Sequence, residues 1–257
     1  ATIARHVGPA SHGALLALIA EADPDLAERL HRSDHQRPFT CSTLMGGQPR
    51  GASRHLDPED ALLLRYTGLN ADVSAHLRRW ADDPPPQIQI HGAVLRVTEA
   101  TVDADAHPWA GHTPYEALAA PRLLPGNRPN PRATLRFYAP TAFQSGGRTV
   151  PLPRPDLVYG GLVDKWNAFA DVAVSEEMRR FAAECIAVSR YKLETHAIRG
   201  RGGSLQIGFM GRCQFTALNN DRYWVGIMQM LTDYAFYARL GYQTTMAMRQ
   251  ARRTDSA

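Results

Sequence analysis

The chain has 257 residues, enough for one large domain or two ordinary ones, and 44% of them are hydrophobic, as in a globular protein. No apolar run approaches the ~20 residues that cross a bilayer, and Cys41, Cys185 and Cys213 form no CxxC pair, so the sequence offers no membrane span, disulfide frame or zinc knuckle, and a reducing cytoplasm is the simplest compartment. Net charge is +4, with Lys165 and Lys192 the only lysines among 29 basic residues. GC-rich coding produces such a bias, yet arginine forks also suit bidentate phosphate contact and base stacking, so RNA is a permitted partner.

In chain order, the first apolar stretch is broken at Asp23-Pro24. Asp is a good N-cap and Pro is favoured at the first helical position, which predicts a helical pair over about 11–31 that ends once near Ala22 and restarts at Pro24. A strand is expected at Phe39–Leu44, another at Ala61–Tyr66, and a helix at Ala71–Trp80 that Pro84-Pro85-Pro86 stops. Ile88–His91 and Ala93–Val97 alternate as strands. Proline and glycine crowd 105–131, a crossover between halves.

The second half opens with a strand at Thr134–Tyr138 and a hairpin at Gly146-Gly147. Helices are expected at Asp156–Ala170 and Ser175–Ala187, strands at Ser189–Ile198 and Leu205–Leu218, then a helix at Tyr223–Leu240 and a final strand. Each half approximates β-α-β-β-α-β, so the predicted fold is α+β with two tandem ferredoxin-like domains. The domains are 1–104 and 132–257, with 105–131 between them. The first domain is short of its opening strand: either that strand lies upstream, the favoured reading, or Ile3–Val7 is a stunted edge strand.

Two histidines, His12 and His31, sit at the outer ends of the helical pair. The helices are roughly 15 Å and 10 Å long at 1.5 Å per residue. Folded back on each other, they bring both imidazoles to one cleft, the layout of a two-histidine acid–base site. His107 and His112 are too far apart in sequence for a helical metal pair, and no metal or other cofactor is expected. Trp109 between them reads as a packing anchor. The turn Arg199-Gly200-Arg201-Gly202-Gly203 is flexible and basic, and Arg212 alternates with apolar neighbours, facing away from the core.

Several segments together resemble a known family: SHGALLALI, ADPDLAERLHR and RPFTCSTL within 11–44, HPWAG at 107–111, LRFYAPTAF and VPLPRPDLVYGGLVDKW within 135–166, GFMGRCQF at 208–215 and DYAFYARLGYQTT at 233–245. The chain is identified by them as similar to the CRISPR-associated endoribonucleases that cut precursor CRISPR RNA within its repeats, the sixth Cas family of the RAMP superfamily. The resemblance implies tandem ferredoxin-like (RRM-like) domains and a catalytic histidine at His31. It further implies a second histidine at His12, in place of the tyrosine that other members carry one turn further along, where Leu16 stands.

Cleavage in such a family uses the RNA's own 2′-OH as nucleophile, leaving a 2′,3′-cyclic phosphate and a 5′-OH without a metal. Histidine suits both proton transfers because its pKa of about 6.5 lies near working pH. On the predicted helix ends, the dipole favours a neutral His12 as base and a charged His31 as acid. Arg37, at the position of a family lysine, would neutralise transition-state charge. Ser42 is a weaker candidate. Arg199, Arg201, Arg212 and Arg249 are the expected RNA contacts, although Ala247 and Arg249 replace the family's closing Gly-x-Gly, where close backbone approach favours glycine. The implied partner is CRISPR repeat RNA (pre-crRNA). Other CRISPR-associated proteins, a fused downstream domain or a second copy fit the same scheme, and a membrane does not. The competing reading is a non-catalytic RAMP-type subunit that only holds crRNA. A general RRM is disfavoured, because the strands lack the paired-aromatic RNP signature.

Overall fold

Proline and aspartate punctuate the amino-terminal helices. In the computed structural model, which describes residues 2–4, 7–32, 36–51, 53–124, 126, 129–199, 205–241 and 250–254, strand β1 (Thr2–Ala4) leads to helix α1 (Gly8–Ala22) and helix α2 (Pro24–Arg32). Pro9 occupies the first turn of α1, where a missing N–H costs nothing. The Asp23 carboxylate accepts the Leu26 N–H at 2.9 Å and caps α2, as the sequence predicts.

The elements fall into two compact units, one ending at His112 and the other starting at Thr113. In the first unit, β2 (Phe39–Cys41), β3 (Gln48–Arg50), β4 (Ser53–His55) and β5 (Tyr66–Gly68) precede helix α3 (Ala71–Asp82) and strands β6 (Gln87–Ile90) and β7 (Ala93–Arg96). Asn70 caps α3, accepting the Val73 N–H at 3.1 Å. Asn70→Ala is expected to lower stability by about 0.5–2 kcal/mol, read as a downward shift in urea midpoint at unchanged m.

Strand pairing in this unit is divided among short antiparallel ladders: β1-β4-β3, β2-β5 and β6-β7. A short strand is present at Thr2–Ala4, overlapping the alternative edge strand at Ile3–Val7, and it pairs with β4. The strand expected at 61–66 is reduced to a bridge between Met45 and Leu63, with regular pairing only at β5. Strands β3 and β4 are short and show no apolar alternation, so the sequence carries no signal for them. Leu15 and Ile19 of α1, Leu26 and Leu30 of α2, and Phe39, Cys41 and Val73 form one buried cluster. A second joins Ile3, Val7, Ala14, Leu44, Leu56 and Ile90.

The second unit starts with helix α4 (Tyr115–Leu123), inside the stretch expected to be a linker or ordered crossover. Its internal Pro121 is a breaker in the sequence, and packing on a later helix offsets that: Arg122 pairs with Asp233 at 2.8 Å, and Thr113 bonds Tyr237 at 2.7 Å. Next come β8 (Arg132–Thr141), the hairpin strands β9 (Phe143–Ser145) and β10 (Arg148–Val150), α5 (Pro155–Phe169), α6 (Glu177–Cys185), β11 (Ile186–Arg199), β12 (Leu205–Ala217), α7 (Arg222–Ala238) and β13 (Ala251–Arg253). Gly146 and Gly147 both take positive φ, as the tight β9–β10 turn requires.

Strands β11-β12-β8-β13 form one antiparallel sheet. With β8 counted first, the spatial order is 2-3-1-4, the ferredoxin-like arrangement. Leu135, Phe137, Phe209, Cys213 and Phe215 line its inner face, under Tyr159 of α5 and Met228 and Leu231 of α7. Phe137 and Phe209 meet edge-to-face at 4.8 Å, and Tyr159 and Phe215 at 5.5 Å. Burial pushes the Cys213 thiol up to about 12, so it stays protonated.

Lys165 closes the carboxyl end of α7. It is buried, and its ammonium donates to the carbonyls of Ala238 (2.8 Å) and Arg239 (2.9 Å). Lys165→Met leaves those carbonyls short of a donor and is expected to cost about 1–3 kcal/mol, measured as a fall in thermal midpoint.

Candidate active site

Burial on one face of each amino-terminal helix fixes where the histidines sit. On α2, Leu26 and Leu30 are four apart and buried, so the next residue, His31, lies beside the apolar stripe and is exposed on the last turn. Arg29, His31 and Arg32 share that turn, where the helix dipole favours cations. On α1, His12 is half-buried, three residues before the buried Leu15. Its ring meets Phe39 edge-on at 5.3 Å and 66°. Phe39 lies in the same cluster as Leu30, the immediate neighbour of His31.

Helix α1 begins at Gly8, three residues earlier than expected, because Pro9 starts it well. His12 is thereby in the second turn, where the dipole has largely decayed. The dipole reason for a neutral His12 is replaced by a direct one. The Arg37 guanidinium Nη1 lies 3.0 Å from His12 Nε2. A guanidinium only donates, so the ring nitrogen it bonds must accept, which requires a neutral imidazole.

Around this pair several side chains hold the backbone. The Tyr66 hydroxyl donates to the Ser11 carbonyl at 3.4 Å, next to His12. Burial raises the Tyr66 phenol well above its ordinary value, so it remains a donor. Ser42 is buried, and its hydroxyl accepts the Arg65 N–H at 2.6 Å, a structural bond within the β2–β5 region. Arg65 was not evident from sequence: it is almost wholly buried, donates through Nε to the Trp109 carbonyl at 2.7 Å, and lies 5.9 Å from that indole. An arginine between apolar residues at Leu64 and Tyr66 is the only trace it leaves in the chain. Trp109 is thus anchored, and His107 Nδ1 accepts the Trp109 N–H at 3.1 Å in a local turn. Among the described residues, no three His, Cys, Asp or Glu side chains converge as a metal site.

The structure therefore brings His12 and Arg37 into contact and sets His31 on the helix that packs with them. Arg212 is exposed on β12. Arg199 ends β11, and its side chain lies outside the described set, as do Arg201, Ala247 and Arg249.

The second unit's 2-3-1-4 sheet defines a ferredoxin-like α+β fold, and the first unit adds a histidine-bearing helical pair. The model of the CRISPR-associated endoribonuclease Cas6 matches residues 135–250. A Thermus thermophilus Cas6 (TTHB231), solved as a product complex, is 26% identical with TM-score 0.78, covering 97% of this chain and 94% of that one. A second Cas6 (TTHA0078) product complex is 23% identical, TM-score 0.76, with 96% and 93% covered. A Cas6-related protein from Pyrococcus furiosus, 9% identical at TM-score 0.56 over 100% and 94%, shares the fold. No curated protein sequence matches. Over residues 135–250 the chain is similar to the CRISPR-associated endoribonuclease family Cas6, and it shares the fold of the solved Cas6 structures. No helix among the described residues is long and apolar enough to cross a membrane.

Proposed function

We propose that this protein cleaves CRISPR repeat RNA without a metal, by attack of a 2′-OH on the adjacent phosphate, with His12 and His31 as the proton-transferring pair. The observation that carries the reading is the Arg37–His12 hydrogen bond on a helix packed with the one that bears His31. A neutral imidazole can take the 2′-OH proton once its Nε2 is released. Phosphate is a better acceptor for guanidinium than imidazole is, so an arriving phosphate draws Arg37 away and frees that lone pair. Arg37 then faces the charge that builds on the non-bridging oxygens. His31, exposed and at a helix carboxyl end, protonates the leaving 5′-oxygen. Two product complexes among the fold's relatives support repeat RNA as the ligand.

The test is incubation of labelled repeat RNA with the protein in EDTA, alongside the same RNA carrying a 2′-deoxy at the cleaved nucleotide. Cyclic-phosphate ends from the first and an intact second support the mechanism. Cleavage of the deoxy substrate contradicts it, and binding without cleavage would mark a scaffold subunit. Arg37→Ala is expected to lower the single-turnover rate by on the order of 10²–10³. Arg37→Lys recovers part of that, since it keeps the charge and loses the fork.

A further inference from the structure

The outer face of the second unit's sheet carries a basic row that runs across the strands. Lys192 of β11 is in register with Arg212 of β12, Arg212 with Arg136 of β8, and Arg136 with Arg252 of β13. Residues in register share a face. Leu135, Phe137, Cys213 and Phe215, their neighbours along the strands, are buried toward the helices, whereas Lys192, Arg212 and Arg136 are exposed. Arg252 is half-buried at the edge, its guanidinium 5.5 Å from the Phe236 ring centre. Arg190, opposite Gln214, adds a cation one step along the same face. Among the described residues, no carboxylate lies within ion-pair distance of Lys192, Arg212 or Arg136.

Like charges directly opposite in a sheet destabilise it, so three in register are a standing cost that a polyanion would remove. Strands are about 4.8 Å apart, and the row from Lys192 to Arg252 spans roughly 14 Å. A nucleic-acid strand advances about 3.4 Å per phosphate in a duplex, so the row covers roughly three or four phosphates. An RNA-recognition sheet would offer free aromatic rings for stacking. Here Tyr138 lies under the Arg136 guanidinium, 4.8 Å away, so the surface presents charge instead.

We propose that Lys192, Arg212 and Arg136, closed at the edge by Arg252, form a track for the phosphate backbone of RNA that binds strand without reading bases. The track rests on RNA being the ligand and extends the binding surface beyond the histidine pair. Its test is the salt dependence of binding to a fluorescent oligouridylate and to an RNA duplex of equal length. In Lys192→Gln/Arg212→Gln/Arg136→Gln, the slope of log affinity against log salt should become shallower by about 2, with affinity at 0.1 M salt down on the order of 100-fold. A control losing three exposed helix arginines, Arg78→Gln/Arg79→Gln/Arg180→Gln, has the same net charge and should keep most of its slope. Arg212→Gln alone should lose about 0.7.

Failure of wild-type protein to bind either RNA, an unchanged slope in the triple variant, or an equal loss in the control overturns the track. Repeat RNA separates this from the catalytic reading. There the triple variant should lose affinity and salt slope, while His31→Ala should bind with an unchanged slope and lose cleavage. If His31→Ala cleaves normally, the histidine assignment fails and the track stands. If the triple variant binds normally, the reverse holds.

Discussion

His31→Ala is expected to cut the single-turnover cleavage rate by on the order of 10²–10⁴ while leaving RNA affinity within a few-fold of wild type. The asymmetry follows from position. His31 is exposed and follows Leu30, which carries the packing of α2, so truncating the imidazole removes no buried surface and α2 should keep its place. What is lost is a proton donor for the departing 5′-oxygen. Substrates with a better leaving group at that oxygen, such as a bridging 5′-thio linkage, should recover much of the rate in His31→Ala and little in His12→Ala. Equal recovery in both variants would contradict the assignment of His31 as the acid.

Phe39→Ala is expected to be the most destabilising of these substitutions, by about 3–5 kcal/mol. The ring is fully buried among Leu15, Ile19, Leu26 and Leu30, and it also meets the His12 imidazole edge-on. Truncation opens a cavity between α1, α2 and β2 and removes the wall that orients His12. Chemical denaturation measures the first effect. Phe39→Leu separates the second: it fills most of the volume, so stability should fall by less than about 1.5 kcal/mol, while the cleavage rate drops because the ring contact is gone. A Phe39→Leu protein with wild-type rate would show that the aromatic edge contributes nothing to His12.

Much of this architecture was legible where side-chain pattern and punctuation agreed. Asp23-Pro24 states the break between α1 and α2, Pro84-Pro85-Pro86 stops α3, and the strand at Thr134–Tyr138 and the apolar neighbours of Arg212 mark buried sheet faces. The second unit's sheet follows from those runs. The first unit was less legible, because β3 and β4 are three residues each without an alternating apolar face and are held by pairing rather than by burial periodicity. Helix α4 escaped because Pro121 reads as a stop, while the ion pair and tyrosine contacts that offset it come from residues more than a hundred positions away. At the site, the histidines were visible as residues, and Arg37 was visible as a charge. Its contact with His12 was not, since no local pattern encodes a bond across 25 positions. The start of α1 at Gly8 moved His12 out of the first turn and transferred the electrostatic role from the dipole to that arginine.

The most direct test of the paired imidazoles is the single-turnover pH–rate profile of cleavage, taken for wild type, His12→Ala and His31→Ala. A base must be unprotonated, so rate rises with pH through its pKa, and an acid must be protonated, so rate falls above its own. The pair predicts a bell for wild type, with the acidic limb absent in His12→Ala and the alkaline limb absent in His31→Ala. A wild-type profile with one limb, or a bell that survives both substitutions, contradicts the account.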